Sequence, residues 1–230
     1  NPNLQNLPVK TELGRRIRES IIAFSAESVL LSCDYSQIEL RILAHISKDK
    51  VLIKAFEENK DIHRKTAALI YGVEESQVSE AMRNSAKSIN FGIIYGLSSF
   101  GLSRDLNIGV VEAQGFIDAY FTTYPGVKVY IDEQIARAQK NGFVTTISGR
   151  RRYLPDINNK NQAIRQFAQR QAVNTPIQGS ASDLIKMAMI QIHDQMRKEK
   201  TDGAMILQVH DELVFDVALS ELKSFSVKIK

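Results

Sequence analysis

Near the end of the chain, two apolar runs close on three polar residues. Met205-Ile206-Leu207 on one side and Leu213-Val214-Phe215 with Val217 on the other are rich in β-branched and aromatic residues, the composition of strands. His210-Asp211-Glu212 lie between them. A short hairpin there holds two neighbouring carboxylates at a fixed tip. Ionised carboxylates beside buried strands are costly unless an opposite charge offsets them. A divalent metal supplies that charge, and Mg²⁺ typically takes only one or two protein carboxylates. An ordinary solvated turn accounts for the same residues without any metal, and short motifs misfire often. The rest of the chain has to decide between the two.

A second strand-like stretch, residues 29–33, runs straight into Asp34-Tyr35-Ser36-Gln37. Beyond it Ile38, Ile42, Leu43 and Ile46 recur at helical spacing. Asp34 thus stands where a strand ends and a helix begins, a place that also suits a helix N-cap. Antiparallel pairing of 29–33 with 205–217 brings Asp34 next to Asp211 and Glu212. Between these ends the pattern predicts helices over 51–59, 63–71 (capped by Asp61), 77–95, 98–106, 111–121 and 127–140. A hairpin is expected at 143–147 and 151–154 around Ser148-Gly149-Arg150. Helices over 161–174 and 180–197 are expected to join near Pro176 and Gly179, and a last helix to start at Ser220. Residues 1–9 read as an extended loop. The fold class is α+β: strands from both ends of the chain with a helical block inserted between them.

Within that block Arg83, Lys87, Phe91 and Tyr95 succeed one another at intervals of four. At 3.6 residues per turn they share one side of a helix, cations toward one end and aromatics toward the other, spanning about 18 Å. That is close to the length of an extended nucleoside triphosphate. The cations suit phosphates, and the aromatics suit a sugar and base. An amphipathic helix with a solvated cationic edge and two core aromatics has the same pattern.

The composition, 43% hydrophobic and 24% charged over 230 residues, is that of a soluble globular protein with a substantial core. No apolar run approaches the roughly 20 residues that span a bilayer, so no membrane partner is expected. No signal-peptide pattern stands at the N-terminus. The single cysteine, Cys33, cannot form an internal disulfide and is expected to pack as a small hydrophobe, which fits an intracellular origin. The net charge of +4 is modest, but basic residues cluster at Arg15-Arg16-Ile17-Arg18, Arg150-Arg151-Arg152 and 165–170. Such clusters suit phosphate backbones, and equally suit solvated helix faces. The opening at Asn1 and the helical pattern running to Lys230 read as those of a fragment of something longer.

Three long motifs, in order, resemble family A DNA polymerases, the bacterial DNA polymerase I family. Asp34-Tyr35-Ser36-Gln37-Ile38-Glu39-Leu40-Arg41 is similar to that family's first catalytic motif. The stretch from Arg83 to Gly96 resembles its nucleotide-binding helix, and Gln208-Val209-His210-Asp211-Glu212 its last catalytic motif. Pro2-Asn3-Leu4-Gln5-Asn6 and Asn174-Thr175-Pro176-Ile177-Gln178-Gly179 match as well, so the resemblance covers nearly the whole chain. It implies two Mg²⁺ ions held by Asp34 and Asp211, with the Tyr35 carbonyl as a further ligand and Glu212 beside them. It implies that Lys87 serves catalysis, that Arg83, Lys87, His63 and Gln37 contact the triphosphate, and that Phe91 packs on the sugar and base. Tyr95 would stack near the templating position, and Glu39 would crowd the sugar's 2′ position. Arg170, Asn174, Gln178 and His210 would line the primer-terminal and minor-groove side. A surface residue at a helix N-terminus is the plainer reading of His63, while His45 and His193 match no motif.

The resemblance further implies a right-hand polymerase fold lacking its thumb, an antiparallel palm sheet with helices and a mostly helical fingers insertion. Residues 1–47 and 165–230 would be palm and 48–164 fingers. The family's upstream basic stretch, its thumb, an exonuclease domain and a final strand segment are not found in this sequence. The implied reaction is template-directed DNA synthesis, adding dNTPs to a primer 3′-hydroxyl with release of pyrophosphate. Primer-template DNA and dNTPs would be the partners of a monomer, with no obligate protein partner, in the cytoplasm of a bacterial or phage-infected cell. A single-subunit RNA polymerase is the nearest alternative, against which Glu39 argues by its bulk. A fragment that binds DNA without catalysing is the other.

Overall fold

The computed structural model describes residues 11–229, so the extended loop expected over 1–9 lies outside the described residues. In order, the elements begin with α1 (Glu12–Glu19), β1 (Ser28–Asp34), α2 (Ile38–Ser47), α3 (Lys50–Glu57), α4 (Ile62–Tyr71), α5 (Glu80–Ile94) and α6 (Ser99–Leu106). They continue with α7 (Val110–Thr123), α8 (Pro125–Asn141), β2 (Phe143–Thr145), β3 (Arg151–Tyr153), α9 (Gln162–Glu199), β4 (Gly203–Val209), β5 (Glu212–Ala218) and α10 (Leu222–Lys228). They form two compact units, Asn1–Ser36 with Leu184–Lys230, and Gln37–Asp183. Among the described residues, no helix is long and apolar enough to cross a membrane.

In the first unit, period-two patterning builds a three-stranded antiparallel sheet in the order β1-β5-β4. The central strand β5 buries every second residue, Leu213, Phe215 and Val217. Its register with β1 runs from Ser28 opposite Ala218 to Asp34 opposite Glu212. On its other side β5 pairs with β4, with an irregularity between Met205 and Leu207. Strands β4 and β5 join through His210 and Asp211 alone, and His210 takes a left-handed φ of 54° to close the turn. Phe225 of α10 packs edge-on against Phe215 at 5.2 Å.

The second unit is helical apart from the β2–β3 hairpin, which appears where it was expected but with shorter strands. Side-chain caps set the helix starts. Asp49 accepts from two N–H groups of α3, Asp61 from two of α4, Ser79 from one of α5 and Ser98 from one of α6. Leu40, Leu43, Leu52, Ile62, Ile89 and Tyr120 are among its fully enclosed side chains.

Three expectations differ from the structure. Asp34 is the last residue of β1 and not an N-cap, because Gln37, in a left-handed conformation, takes that place before α2. Residues 75–77 form a separate 3₁₀ turn closed by Glu74 and Gln77, so α5 starts only at Glu80. The helices expected on either side of Pro176 are one helix, α9. Proline has no N–H to donate to the Ala172 carbonyl, a loss of about 3 kcal/mol or more in a helix interior. Ala168, Ala172, Val173, Ile177 and Ala181 are nevertheless buried as one helical stripe through the proline, and their packing outweighs the local preference. The Ser180 hydroxyl also donates to the Pro176 carbonyl while accepting from Ile147 N at 2.9 Å.

The hairpin that carries Asp211 and Glu212 depends on close backbone approach at Gly203. A Cβ there would lie 2.6 Å from the Asp216 carbonyl oxygen and 3.2 Å from Val217 Cα. Backbone cannot move aside as a side-chain tip can. Gly203→Ala is therefore expected to destabilise by about 1–3 kcal/mol, read as a lower urea midpoint. An unchanged midpoint would show that β4 can shift without cost.

Candidate active site

In the first unit the sheet register does the positioning. Asp34 and Glu212 face each other across β1 and β5, and Tyr35 N donates to the Asp211 carbonyl at 3.3 Å. The turn is closed further by Gln208 Nε2, which donates to the His210 carbonyl at 3.0 Å. Glu212 is drawn back to the sheet, accepting from the Ser32 hydroxyl. Asp34 has its pKa raised, first by partial burial and then by the negative charges of Asp211 and Glu212. A carboxylate destabilised by two others is what a cation would relieve. The donors also suit Mg²⁺, being hard carboxylate oxygens with the Tyr35 carbonyl available nearby in sequence. Among the described residues no three His, Cys, Asp or Glu side chains gather as a metal-holding group. A two-carboxylate Mg²⁺ site does not require a third. Cys33 is half-buried beside Asp34, and burial raises its thiol pKa.

In the second unit α5 presents the spaced face. Phe91 and Tyr95 stack, with ring centroids 6.4 Å apart and planes at 19°. Tyr95 caps the helix C-terminus, and its hydroxyl donates to Glu39 Oε2 at 2.8 Å, fixing that carboxylate on α2. Arg83 Nε donates to Asp61 Oδ2 at 2.7 Å, while Oδ1 of the same carboxylate caps α4 through His63 N and Arg64 N. These bonds hold Asp61 below its ordinary pKa against the opposing effect of burial. Lys87 is exposed one turn further along. Gln37 is half-buried at the start of α2.

His63 is not the surface residue that its place at a helix N-terminus suggested. It is 3% exposed, with its ring 5.7 Å from that of Phe91. Its Nδ1 lies 3.0 Å from the amide nitrogen of the fully buried Asn90. Burial pushes its pKa down to about 4, Asp61 opposes the fall, and Arg83 and Lys87 add to it. The imidazole is therefore neutral near pH 7.

The remaining expected residues fall in different surroundings. Arg170 is exposed on α9, with its guanidinium 5.7 Å from the Phe167 ring. Its stem fills the space beside Gly96, where a Cβ would meet Arg170 Cγ at 2.7 Å and where φ is +66°. Asn174 is half-buried with Oδ1 enclosed and unpartnered, and Gln178 is exposed on the same helix. His210 sits exposed in the β4–β5 turn. Sequence reasoning missed Asp61 as the partner of Arg83 and Asn90 as the partner of His63. These pairs are 22 and 27 residues apart, and no periodicity links them.

Residues 1–230 match the family described as DNA polymerase family A. The chain is 49% identical over 222 residues to DNA polymerase I of Geobacillus stearothermophilus, covering 96% of this chain and 25% of that protein. It is 51% identical over 231 residues to DNA polymerase I of Streptococcus pneumoniae TIGR4, covering 100% of this chain and 26% of that protein. The solved POL domain of Pol1 from M. smegmatis, in complex with DNA primer-template and dNTP, superposes with a TM-score of 0.94 at 40% identity. That match covers 99% of this chain and 40% of the other. The chain thus spans about a quarter of the length of the curated relatives.

The buried imidazole has a consequence for acid stability. Its folded pKa of about 4 lies below the unfolded value of 6.5, so between the two the unfolded chain binds more protons. The stability of the second unit is fully present above pH 6.5 and falls as pH drops toward 4. Urea midpoints measured across that window should decline less in His63→Gln than in the natural sequence. Asp61 adds its own sensitivity only below the ordinary carboxylate pKa. Parallel declines in the two proteins would show that His63 is not held neutral.

Proposed function

We propose that this chain, which belongs to DNA polymerase family A, carries the reacting centre for template-directed addition of dNTPs to a primer 3′-hydroxyl. The observation that carries the reading is the β1–β5 register, which sets Asp34 against Asp211 and Glu212. Side chains far apart in sequence are brought together there at a cost in repulsion that a sheet has no structural need to bear. Residues 1–47 and 165–230 would serve as palm and 48–164 as fingers.

Asp34, Asp211 and the Tyr35 carbonyl would hold two Mg²⁺ ions, with Glu212, tied to Ser32, contributing less. When bound, such a metal pair stabilises attacking and leaving oxygens in an in-line displacement. Lys87 would stabilise negative charge on the departing pyrophosphate, acting as a point charge on a flexible stem. Arg83 would grip the phosphates with its guanidinium, Asp61 holding that group in place before they arrive. Neutral His63 would add a hydrogen bond without adding charge, and Gln37 another. Phe91 would pack against sugar and base, with Tyr95 stacked behind it. Because Tyr95 pins Glu39, that carboxylate has a defined place from which to crowd a 2′-hydroxyl. Arg170, Asn174, Gln178 and His210 would contact primer and template. The neighbour solved with DNA primer-template and dNTP supports these partners, and the bacterial relatives support a cytoplasmic setting.

Single-turnover incorporation by a full-length enzyme carrying this sequence tests the assignment. Lys87→Ala should slow the chemical step by about 100- to 1,000-fold, the scale of losing one preorganised electrostatic contact. Asp34→Asn and Asp211→Asn should cost more, and Glu212→Gln less. An Asp211→Asn enzyme retaining most of its turnover would refute the carboxylate roles.

A further inference from the structure

A closed run of hydrogen bonds leads away from His63 into the second unit. Asn90 uses both ends of its amide: Nδ2 meets His63 Nδ1 at 3.0 Å, and Oδ1 meets Thr66 Oγ1 at 3.2 Å. Thr66 Oγ1 meets Tyr124 Oη at 2.9 Å. Thr66, Asn90 and Tyr124 are fully buried, and His63 nearly so. The chain of contacts links α4, α5 and the junction of α7 with α8.

Such a chain can run in two directions. In one, the tyrosine hydroxyl donates to threonine, threonine donates to the Asn90 carbonyl, and the Asn90 amide donates to Nδ1. In the other the Asn90 amide is turned over, so that its carbonyl accepts from Nδ1–H, its Nδ2 donates to threonine, and threonine donates to the tyrosine oxygen. The ends decide between them. Thr66 is the only hydrogen-bond partner of the Tyr124 hydroxyl among the described residues. The second arrangement would make that hydroxyl an acceptor and leave its own proton buried without a partner, which is costly. Burial pushes the Tyr124 pKa up to about 12, so the proton is present. At the other end, His63 Nε2 has no partner among the described residues. It is also absent from their fully enclosed unpartnered atoms, which are Tyr120 Oη and Asn174 Oδ1. Nε2 is therefore not fully enclosed, so a hydrogen carried there is open to a partner from outside the protein.

We infer that Tyr124, acting through Thr66 and Asn90, is a positioning residue that fixes His63 as the Nε2–H tautomer and so presents a hydrogen-bond donor to phosphate oxygens. A neutral imidazole in the other tautomer would turn a lone pair toward the phosphates and repel them. The charged groups acting on His63 are Asp61 at the start of its own helix and Arg83 and Lys87 on α5. The two cations disfavour imidazolium and leave the donor role to the tautomer. The inference rests on the reading of His63 as a triphosphate contact.

The test is nitrogen-15 NMR of the histidine-labelled 230-residue chain at pH 7. His63 should show a pyrrole-like Nε2 and a pyridine-like Nδ1. Tyr124→Phe and Thr66→Val each remove one hydroxyl at nearly constant shape, and each should shift His63 toward a mixture of tautomers. Thr66→Ser should restore the single form. In the full-length enzyme the same two variants should weaken dATP binding by about 2- to 10-fold, the value of one hydrogen bond, with Thr66→Ser near the natural affinity. A pyrrole-like Nδ1 in the natural sequence, or a His63 spectrum unmoved in the variant that folds, would overturn the relay. If the tautomer behaves as stated but dATP with Mg²⁺ leaves Nε2 unperturbed in the full-length enzyme, the relay stands and the triphosphate role falls.

Discussion

The register of β5 against β1 is the constraint on which the first unit depends. Strand side chains alternate faces, so a slip of one residue would turn Leu213, Phe215 and Val217 out of the core and move Asp34 away from Glu212. The core therefore enforces the chemistry. Apolar burial on one set of alternate positions fixes where three carboxylates stand at the strand ends, although their mutual repulsion works against that arrangement. His210 contributes through its backbone before any side-chain role arises. Its left-handed conformation lets a two-residue turn join strands that allow no slack.

The second unit uses the opposite logic. Its candidate residues are held by polar contacts between helices, buried at His63, Asn90 and Thr66 but partly or fully exposed at Arg83–Asp61 and Tyr95–Glu39. Asp61 serves two purposes at once, with one oxygen capping α4 and the other binding Arg83. Loss of that carboxylate would unseat a helix start and the Arg83 guanidinium together. Asn90 has the same double duty between His63 and Thr66, and Tyr95 joins the end of α5 to Glu39 on α2.

Periodicity and punctuation made most of the elements legible before the structure, and the reason is local. The apolar spacing after Gln37, the Asp61 cap and the Ser148-Gly149-Arg150 turn each act within a few residues. Pro176 misled because its local penalty is real but is outweighed by a buried stripe that packing alone reveals. Asp34 was legible as a strand end facing Asp211 and Glu212, since that juxtaposition needs only antiparallel pairing. The enclosure of His63 was not legible, because it comes from Asn90 and Phe91, residues on a helix that its own sequence neighbours do not announce.

The two units also illustrate how a site can be prepared for a ligand of either sign. In the first, partial burial and then the charges of Asp211 and Glu212 raise the Asp34 pKa, a repulsion that a bound cation would relieve. In the second, burial first, and then the charges of Arg83 and Lys87, push His63 toward neutrality. Carboxylates can answer repulsion by taking up a proton, and at low pH they would do so before binding metal. Guanidinium and ammonium groups have no such outlet in that range. Acid therefore acts on the two units by different routes, through protonation of Asp34 in one and of the buried His63 in the other.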